Sequence, residues 1–338
     1  MRSFKRILPE LLSFLLCFSA LCFGAAALYW GTAYHSHQDA ALRRELAGSL
    51  DTLIVGASHA LNGVDPQVLD EALDTSSYNL SGSLMPMHGR YVLLKKELGR
   101  NPVKTVYLEI AADTLLRNSG EEYAEGDEPI IARLDTLGER LAYATQYLDL
   151  EDWRNLASRV MLRSVQTLFK MARREDPVQA GRGFQPLEAH NVTASARMEP
   201  ERYAIEELNP QTVSELEQIV SLCREKQVRV ILLVVPESHV RLAKTRELDR
   251  FHQWMKQFAL EHGCEYSNFN LLRDRWTRFS DAESFYDEGH LSAQGAQAFS
   301  EALRDWMRGD QERVQFYESY DQALRDNPYS QESWEEET

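Results

Sequence analysis

Two short segments of this chain carry residue types that together could perform acyl chemistry. One contains Asp287 and His290, a carboxylate and an imidazole three residues apart just before a predicted helix. The other contains Ser58, which follows Gly56 and Ala57 at the end of an apolar run. A nucleophile, a base and a carboxylate that orients the base are the parts of a hydrolytic triad, whatever their order along the chain.

Each segment alone also has an ordinary explanation. Gly-Ala-Ser is a common connection between a strand and a loop, and Asp287 and His290 also fit an exposed loop before a helix capped by Ser292. A serine hydroxyl is a weak nucleophile without an adjacent base. Because both segments occur at opposite ends of a single α/β pattern, we favour the triad, with Ser58 as nucleophile, His290 as base and Asp287 as its partner.

The elements that must position these residues alternate between strand-like and helix-like patterns. Short apolar runs predict five strands, at 51–56, 76–80, 103–110, 228–235 and 265–269. Amphipathic patterns predict helices from Asp65-Pro66 to 73 and at 87–98, 210–226, 241–262 and 292–308. Strands separated by helices indicate a parallel sheet with right-handed crossovers, which is a three-layer α/β/α fold of the flavodoxin type.

The order of these elements places both catalytic segments at one edge of the sheet. Sites in such sheets lie beyond the carboxyl ends of the strands. Ser58 follows the first predicted strand, and Asp287 and His290 follow the last. The α/β domain is predicted to span 51–308, with a largely helical insertion at 113–205 that carries no strand pattern.

The N-terminal segment 1–34 has the features of a membrane anchor. Leu11–Trp30 is a run of 20 residues without a charge, and 20 helical residues span roughly the 30 Å of a bilayer core. Basic residues precede the run, which predicts a single-pass cell-membrane protein with a cytoplasmic N-terminus and an extracytoplasmic body. A cleaved signal peptide, with a site at Ala25–Ala27, is the alternative. Residues 35–50 are predicted to form a helical stalk.

The charge and cysteine content restrict the chemistry further. The net charge is −15, and the segment 309–338 is predicted to be an acidic, solvated tail. This charge argues against nucleic acid as a partner. The two cysteines of the body, Cys223 and Cys264, are expected to be free thiols, although one disulfide bond stays open as an alternative. No Cys/His spacing indicates a metal site, and we expect no cofactor.

Three blocks of the sequence resemble the SGNH/GDSL hydrolase superfamily. They are a serine block around Ser58, a block containing Asn79, Ser81 and Gly82 after the second strand, and the C-terminal Asp-x-x-His block. The resemblance implies that Ser58, His290 and Asp287 act as the triad. It also implies that the backbone N–H of Ser58, together with that of Ser81 or Gly82, binds the oxyanion, with Asn79 and His59 close to the substrate.

Two departures point to one branch of that superfamily. Ala57 stands where the family has aspartate, and Glu109 ends the third strand where the family's third block has asparagine. In this respect the chain is similar to membrane-anchored bacterial proteins such as the D-alanyl transfer protein and the alginate and peptidoglycan O-acetylation proteins. That resemblance implies an envelope glycan or teichoic-acid-like acceptor and a multi-pass membrane O-acyltransferase as partner.

Two classes of function therefore stay open from the sequence. The first is an envelope enzyme, either a serine esterase or an O-acyltransferase, since both share the acyl-enzyme step. The second is a catalytically inactive anchored subunit that binds a glycan or a membrane partner. Glu109 and His59 are the less certain residues, because a carboxylate at a strand end is usually solvated and a loop histidine usually has no catalytic task.

Overall fold

The computed structural model describes residues 42–116, 123–156, 181–190 and 202–327, together with the isolated positions 13, 14, 17, 18, 20, 24, 158 and 192. Most of the predicted anchor and much of the insertion thus lie outside the described residues. Within the described part of the chain we find no helix whose length and apolar character would let it cross a membrane.

The described chain alternates strands and helices. The strands are β1 (Thr52–Val55), β2 (Ser77–Asn79), β3 (Thr105–Glu109), β4 (Arg229–Val234) and β5 (Glu265–Asn268). The helices are α1 (Ser58–Gly63), α2 (Pro66–Leu73), α3 (Met87–Leu98), α4 (Ala112–Leu116), α5 (Tyr123–Arg133), α6 (Leu137–Tyr147), α7 (Pro210–Glu225), α8 (His239–Lys244), α9 (Leu248–His262), α10 (Arg275–Arg278), α11 (Ala293–Met307) and α12 (Tyr320–Arg325).

The five strands form one parallel sheet in the order β2-β1-β3-β4-β5. The predicted α/β class and the parallel five-stranded sheet are confirmed, and helices surround the sheet. The chain runs outward from β1 to β2 and then returns to the other side of β1, so the order reverses between β1 and β3. This point of reversal is where open α/β sheets bind ligands.

One continuous apolar layer covers a face of the sheet. Ile54, Tyr107 and Ile231 are register partners on neighbouring strands, and all three are buried. Phe299 and Leu303 of α11 belong to the same cluster. Each buried side chain of this size contributes roughly 1.5–3 kcal/mol to folding. The layer therefore fixes α11 on this face of the sheet, and the loop that carries His290 directly precedes α11.

The residues that the sequence predicts at helix starts occupy those positions in the structure. Asp65 caps α2 through the Gln67 N–H, and Pro66 is the first helical residue. Ser292 caps α11 through the Gly295 N–H, and its hydroxyl donates to the Glu283 carbonyl at 2.6 Å. This pair of bonds ties the loop that carries His290 to a rigid helix terminus.

The structure differs from the sequence-based expectation in three places. The single helix expected at 241–262 is two helices, α8 and α9, which are separated at Glu247, whose φ is +63°. Within the predicted stalk 35–50, residues 42–45 are helical, and Arg43 is buried in an ion pair with Glu97 at 2.9 Å. In the C-terminal segment 309–338, residues Tyr320–Arg325 form α12, and the side chain of Tyr320 is buried beside Asn268.

The chain divides into two compact units. The sheet unit comprises 43–130 and 180–338 and contains all five strands. The other unit comprises 1–42 and 131–179, and its described part is helical, with a capping box formed by Thr136 and Glu139 at the start of α6. Every residue of the candidate site below belongs to the sheet unit.

Candidate active site

Ser58 lies at the carboxyl edge of the sheet, as expected from its position after β1. Gly56 and Ala57 connect β1 to α1, and Ser58 is the first residue of that short helix. The side chain of Ser58 is half-buried. The first N–H groups of a helix have no acceptor within the helix, so the backbone N–H of Ser58 lies where an oxyanion donor is needed.

Asp287 and His290 form a self-contained unit on a tight loop. A β-bridge joins Phe285 to Leu291, and the Tyr286 N–H donates to the His290 carbonyl at 2.8 Å. Within that loop the Asp287 carboxylate lies 2.8 Å from Nδ1 of His290 and also accepts the His290 N–H at 2.8 Å. The orientation of the imidazole is therefore set by contacts that span only three residues.

The structure brings the two segments together through His290. Its Nε2 lies 2.7 Å from the Oγ of Ser58, although the two residues are 232 positions apart in the sequence. With Nδ1 held by Asp287, the geometry supplies a continuous hydrogen-bonded chain from carboxylate to imidazole to hydroxyl. This is the geometry in which histidine accepts the proton of an attacking serine.

The carboxylate of Asp287 is held in its charged form. Partial burial acts to raise the pKa of Asp287, but the hydrogen bond from His290 and the attraction of that imidazole outweigh it, helped by the backbone N–H groups of Gly289 and His290. The resulting pKa is lower than the ordinary value for aspartate. Asp287 is thus an anion at neutral pH and can stabilise an imidazolium at His290.

Glu109, at the end of β3, is a site residue that the sequence pattern did not identify with confidence. Its side chain is 1% exposed, and its Oε2 accepts the N–H of Ala57, the residue before the nucleophile, at 2.7 Å. The expectation of a solvated strand-end carboxylate is wrong. Gly56 makes the close approach feasible, because a Cβ at that position would lie 2.6 Å from both Cβ and Oε2 of Glu109.

Arg90 of α3 compensates the buried charge of Glu109. Its Nη1 donates to the Glu109 carbonyl oxygen at 2.6 Å, and its Nη2 lies 3.6 Å from Oε2. Burial acts to raise the pKa of Glu109, but Arg90 and then His59 outweigh it and hold this pKa below the ordinary value. A fully buried, charged carboxylate therefore fixes the backbone of the turn Gly56–Ser58, which is called the nucleophile turn below.

His59 lies between Glu109 and the catalytic imidazole. Its Nδ1 is 3.7 Å from Oε1 of Glu109, and the centroids of its ring and the His290 ring are 4.9 Å apart. Burial acts to lower the pKa of His59, but Glu109, followed by Asp113 and Glu237, raises it above the ordinary value. His59 is thus a buried residue of the site rather than an exposed loop histidine.

The charges of Glu109 and His59 should make stability depend on pH. The lowered pKa of Glu109 stabilises the fold above its ordinary pKa of 4.5, an effect lost as the pH falls. The raised pKa of His59 stabilises below 6.5, an effect lost as the pH rises through its folded pKa. We therefore expect the free energy of unfolding of Glu109→Gln to differ most from that of the unsubstituted protein between these two values.

Urea unfolding of both proteins across the acidic and neutral range measures this difference. The difference in free energy of unfolding between the two proteins should become smaller at acidic pH, because the protonated Glu109 no longer differs in charge from glutamine. A gap of constant size at every pH would contradict the charged state of Glu109.

The block that contains Asn79, Ser81 and Gly82 is buried, although an oxyanion-binding block is expected to be accessible to substrate. Asn79 is fully buried, and its side-chain amide donates to the carbonyl oxygens of Ala60 and Val64. Through these bonds the side chain of Asn79 holds α1 to the sheet. Its Oδ1 accepts the Ser81 N–H at 3.1 Å, and the Gly82 N–H donates to the Gly56 carbonyl at 3.3 Å.

A cavity borders His59 and Glu109, and neither Ser58 nor His290 belongs to its lining. Its wall combines polar side chains with apolar ones from β4 and α9, and includes His59, Glu109, Tyr203, Val235, Glu237, Phe251, Asn270 and Tyr320. Among the described residues, no group of three or more His, Cys, Asp or Glu side chains is arranged to hold a metal ion. Both body cysteines, Cys223 and Cys264, are free thiols.

No family model matches the chain, and no curated protein matches it. Among solved structures, the chain is similar to one described as a platelet activating factor from Streptococcus pneumonia, with 13% sequence identity and a TM-score of 0.36 over 82% of this chain and 94% of that chain. A TM-score of this size does not establish a shared fold, and the functional interpretation rests on the geometry of the site.

Proposed function

We propose that the chain is a serine acyltransferase or esterase of the SGNH type that works through Ser58, His290 and Asp287. One observation carries the proposal, namely the continuous chain of contacts in which Nε2 of His290 lies 2.7 Å from Oγ of Ser58 while Nδ1 lies 2.8 Å from the Asp287 carboxylate. The three residues lie at the edge of the sheet where the strand order reverses, and this position supports the same conclusion.

The reaction proceeds through an acyl-enzyme. Oγ of Ser58 attacks the carbonyl carbon of an ester while its proton passes to Nε2 of His290, and the charged Asp287 stabilises the imidazolium. The imidazolium then gives that proton to the oxygen of the leaving alcohol as the ester bond breaks. A second alcohol or a water molecule, deprotonated by His290, attacks the acyl-Ser58 and regenerates the serine.

The cellular setting is part of the proposal. The apolar run Leu11–Trp30 and the basic residues before it favour a membrane anchor with the site on the outer side. In that position the acyl group moves to or from an envelope glycan or a teichoic-acid-like polymer, with a multi-pass membrane O-acyltransferase as the acyl-supplying partner. The resemblance of the three sequence blocks to membrane-anchored bacterial proteins of the SGNH type supports this assignment.

Labelling with a fluorophosphonate tests the proposal. Such a probe reacts with a serine that a neighbouring base activates, so the wild-type chain should be labelled and Ser58→Ala should not. Ser49→Ala, which removes an exposed hydroxyl near β1, is the matched control and should be labelled like the wild type. Absence of label on the wild type, or equal label on Ser58→Ala, would refute a serine enzyme.

A second function, an inactive subunit that binds a glycan or a membrane partner, has one observation in its favour. The backbone N–H groups of Ser81 and Gly82 are engaged with acceptors inside the protein, and Glu109 at the end of β3 cannot donate a hydrogen bond when charged. Loss of one oxyanion donor costs on the order of 100-fold in rate. Fluorophosphonate labelling separates this function from the first.

The two enzymatic alternatives differ in the acceptor. Release of acetate from a simple ester that is unaffected by added carbohydrate would favour hydrolysis. Appearance of the acyl group on an added glycan, with a matching fall in free acetate, would favour transfer. Both experiments need the same Ser58→Ala control, because the acyl-enzyme is common to the two routes.

A further inference from the structure

The segment 185–190, which is called the strap below, lies against both halves of the candidate site. It falls within the predicted insertion 113–205, yet it belongs to the sheet unit. Its backbone is hydrogen-bonded to α1, the helix that begins at Ser58, and to the loop 285–293, which carries His290 and is called the catalytic loop below. The strap therefore joins two parts of the site that are far apart in the sequence.

At one end the strap is bonded to α1. The N–H of Gln185 donates to the Leu61 carbonyl at 3.1 Å, and the side-chain amide of Asn62 donates back to the Gln185 carbonyl at 2.8 Å. The last carbonyls of a helix have no donor within that helix, so the strap supplies one to α1. Because α1 has six residues, and helices shorter than about 12 residues are marginal in isolation, its orientation depends on such outside contacts.

At the other end the strap is bonded to both arms of the catalytic loop. The N–H of His190 donates to the Phe285 carbonyl at 2.8 Å, and the N–H of Ala293 donates to the Leu187 carbonyl at 2.8 Å. One bond precedes the catalytic residues of the loop and the other follows them. Both use backbone atoms, so they do not depend on the imidazole of His190.

The residues that flank the strap are held in the apolar layer. Phe184, just before the strap, and Val192, just after it, are buried in the same cluster as Phe285 and Leu291 of the catalytic loop. The strap is thus fixed at both ends as well as along its length.

These contacts close a ring of bonds through the site. The ring runs from Ser58 along α1 to Asn62, through the strap to the catalytic loop, and back to Ser58 through His290. We propose that Asn62 is a positioning residue, which acts through the strap to keep α1 and the catalytic loop in the register that places Oγ of Ser58 2.7 Å from Nε2 of His290. This inference rests on the proposed function.

The rate and the extent of fluorophosphonate labelling separate positioning from folding. In Asn62→Ala the Gln185 carbonyl loses a donor, and the labelling rate constant of Ser58 should fall by roughly 10- to 100-fold, since a displacement of about 1 Å costs on the order of 100-fold in rate. The fraction of chains labelled at completion should equal that of the wild type, because each folded chain still carries the triad. A smaller labelled fraction with an unchanged rate constant would show a structural role only and would overturn the inference.

Two further variants separate the hydrogen bond from packing and from general loosening. Asn62→Asp keeps the shape of the side chain and removes the amide donor, so its rate constant should also fall. Asn101→Ala is the matched control, because Asn101 is 8% exposed where Asn62 is 6% exposed, and its amide bonds to Glu97 at 3.0 Å between α3 and β3, at the opposite edge of the sheet. It should be labelled at the wild-type rate. An equal fall in Asn101→Ala and Asn62→Ala would contradict a specific role of Asn62.

Hydrogen exchange of the full chain tests the same inference without using activity. The N–H groups of Tyr286 and His290 are bonded within the catalytic loop, and in Asn62→Ala they should exchange about tenfold faster, whereas the amides of β3 should not change. Wild-type exchange at both positions would overturn the inference even if Ser58 is labelled. Faster exchange in a chain whose Ser58 is never labelled would refute the proposed function and still support the hold of the strap on the two segments.

Discussion

Replacing His290 by alanine should lower kcat/KM for an activated ester by about 10⁴-fold or more. Without Nε2 of His290 at 2.7 Å, the Ser58 hydroxyl has no base to take its proton, and the Asp287 carboxylate has no imidazole to orient. Residual rate would come only from binding and from the oxyanion donors. The measurement is the hydrolysis of p-nitrophenyl acetate by equal amounts of folded protein.

The stability of the same variant provides the control. The side chain of His290 is 26% exposed and lies on a loop rather than in the apolar layer, so its removal should lower the free energy of unfolding by only about 1 kcal/mol, mainly through the lost contact with Asp287. His190→Ala, which removes an exposed histidine whose ring lies 4.7 Å from that of Tyr286, should keep nearly full activity. A His290→Ala enzyme within tenfold of the wild type would refute the triad.

Replacing Gly56 by alanine should damage both stability and activity. The new Cβ would lie 2.6 Å from Cβ and Oε2 of Glu109 and 2.8 Å from Cβ of Ala60. Because Cβ of Glu109 is fixed to β3, the nucleophile turn itself has to move. Overpacking of this kind costs about 1–3 kcal/mol, and a displacement of the nucleophile by about 1 Å lowers kcat by roughly 100-fold.

Urea unfolding and ester hydrolysis measure the two effects on one preparation. Gly138→Ala is the matched control, since a Cβ there meets nothing closer than 3.9 Å and the site is the second residue of α6. That variant should be as stable as the wild type or slightly more so. Wild-type activity in Gly56→Ala would mean that Glu109 does not restrain the turn.

The sequence was sufficient to predict the sheet and the proximity of Ser58, Asp287 and His290, because the signals are local. Apolar runs mark the strands within a residue or two, as in β1 against 51–56, and Pro66 and Ser292 mark where α2 and α11 begin. The Asp287–His290 contact follows from a spacing of three residues. The proximity of His290 to Ser58 could be predicted because the carboxyl ends of parallel strands lie at the same edge of a sheet.

The role of Glu109 could not be read from the sequence, because it depends on contacts between distant elements. Glutamate at a strand end is normally solvated, and only the packing of Arg90 from α3 and the missing side chain of Gly56 make its burial tolerable. Likewise, Asn79 matched a family block by position, yet its amide is committed to the carbonyls of α1. A usable signal was Gly56, two residues before Ser58, because a glycine permits a close neighbour.

The sequence separation within the triad sets the time at which the serine becomes reactive. Asp287 and His290 assemble from one short loop, whereas Ser58 precedes His290 by 232 residues. At about 5–20 residues per second, synthesis reaches residue 290 roughly 10–50 s after residue 58. Throughout that interval the nascent chain carries a serine with no base beside it. If the proposed function is correct, acylation of Ser58 is confined to chains in which the last strand and α11 have already docked.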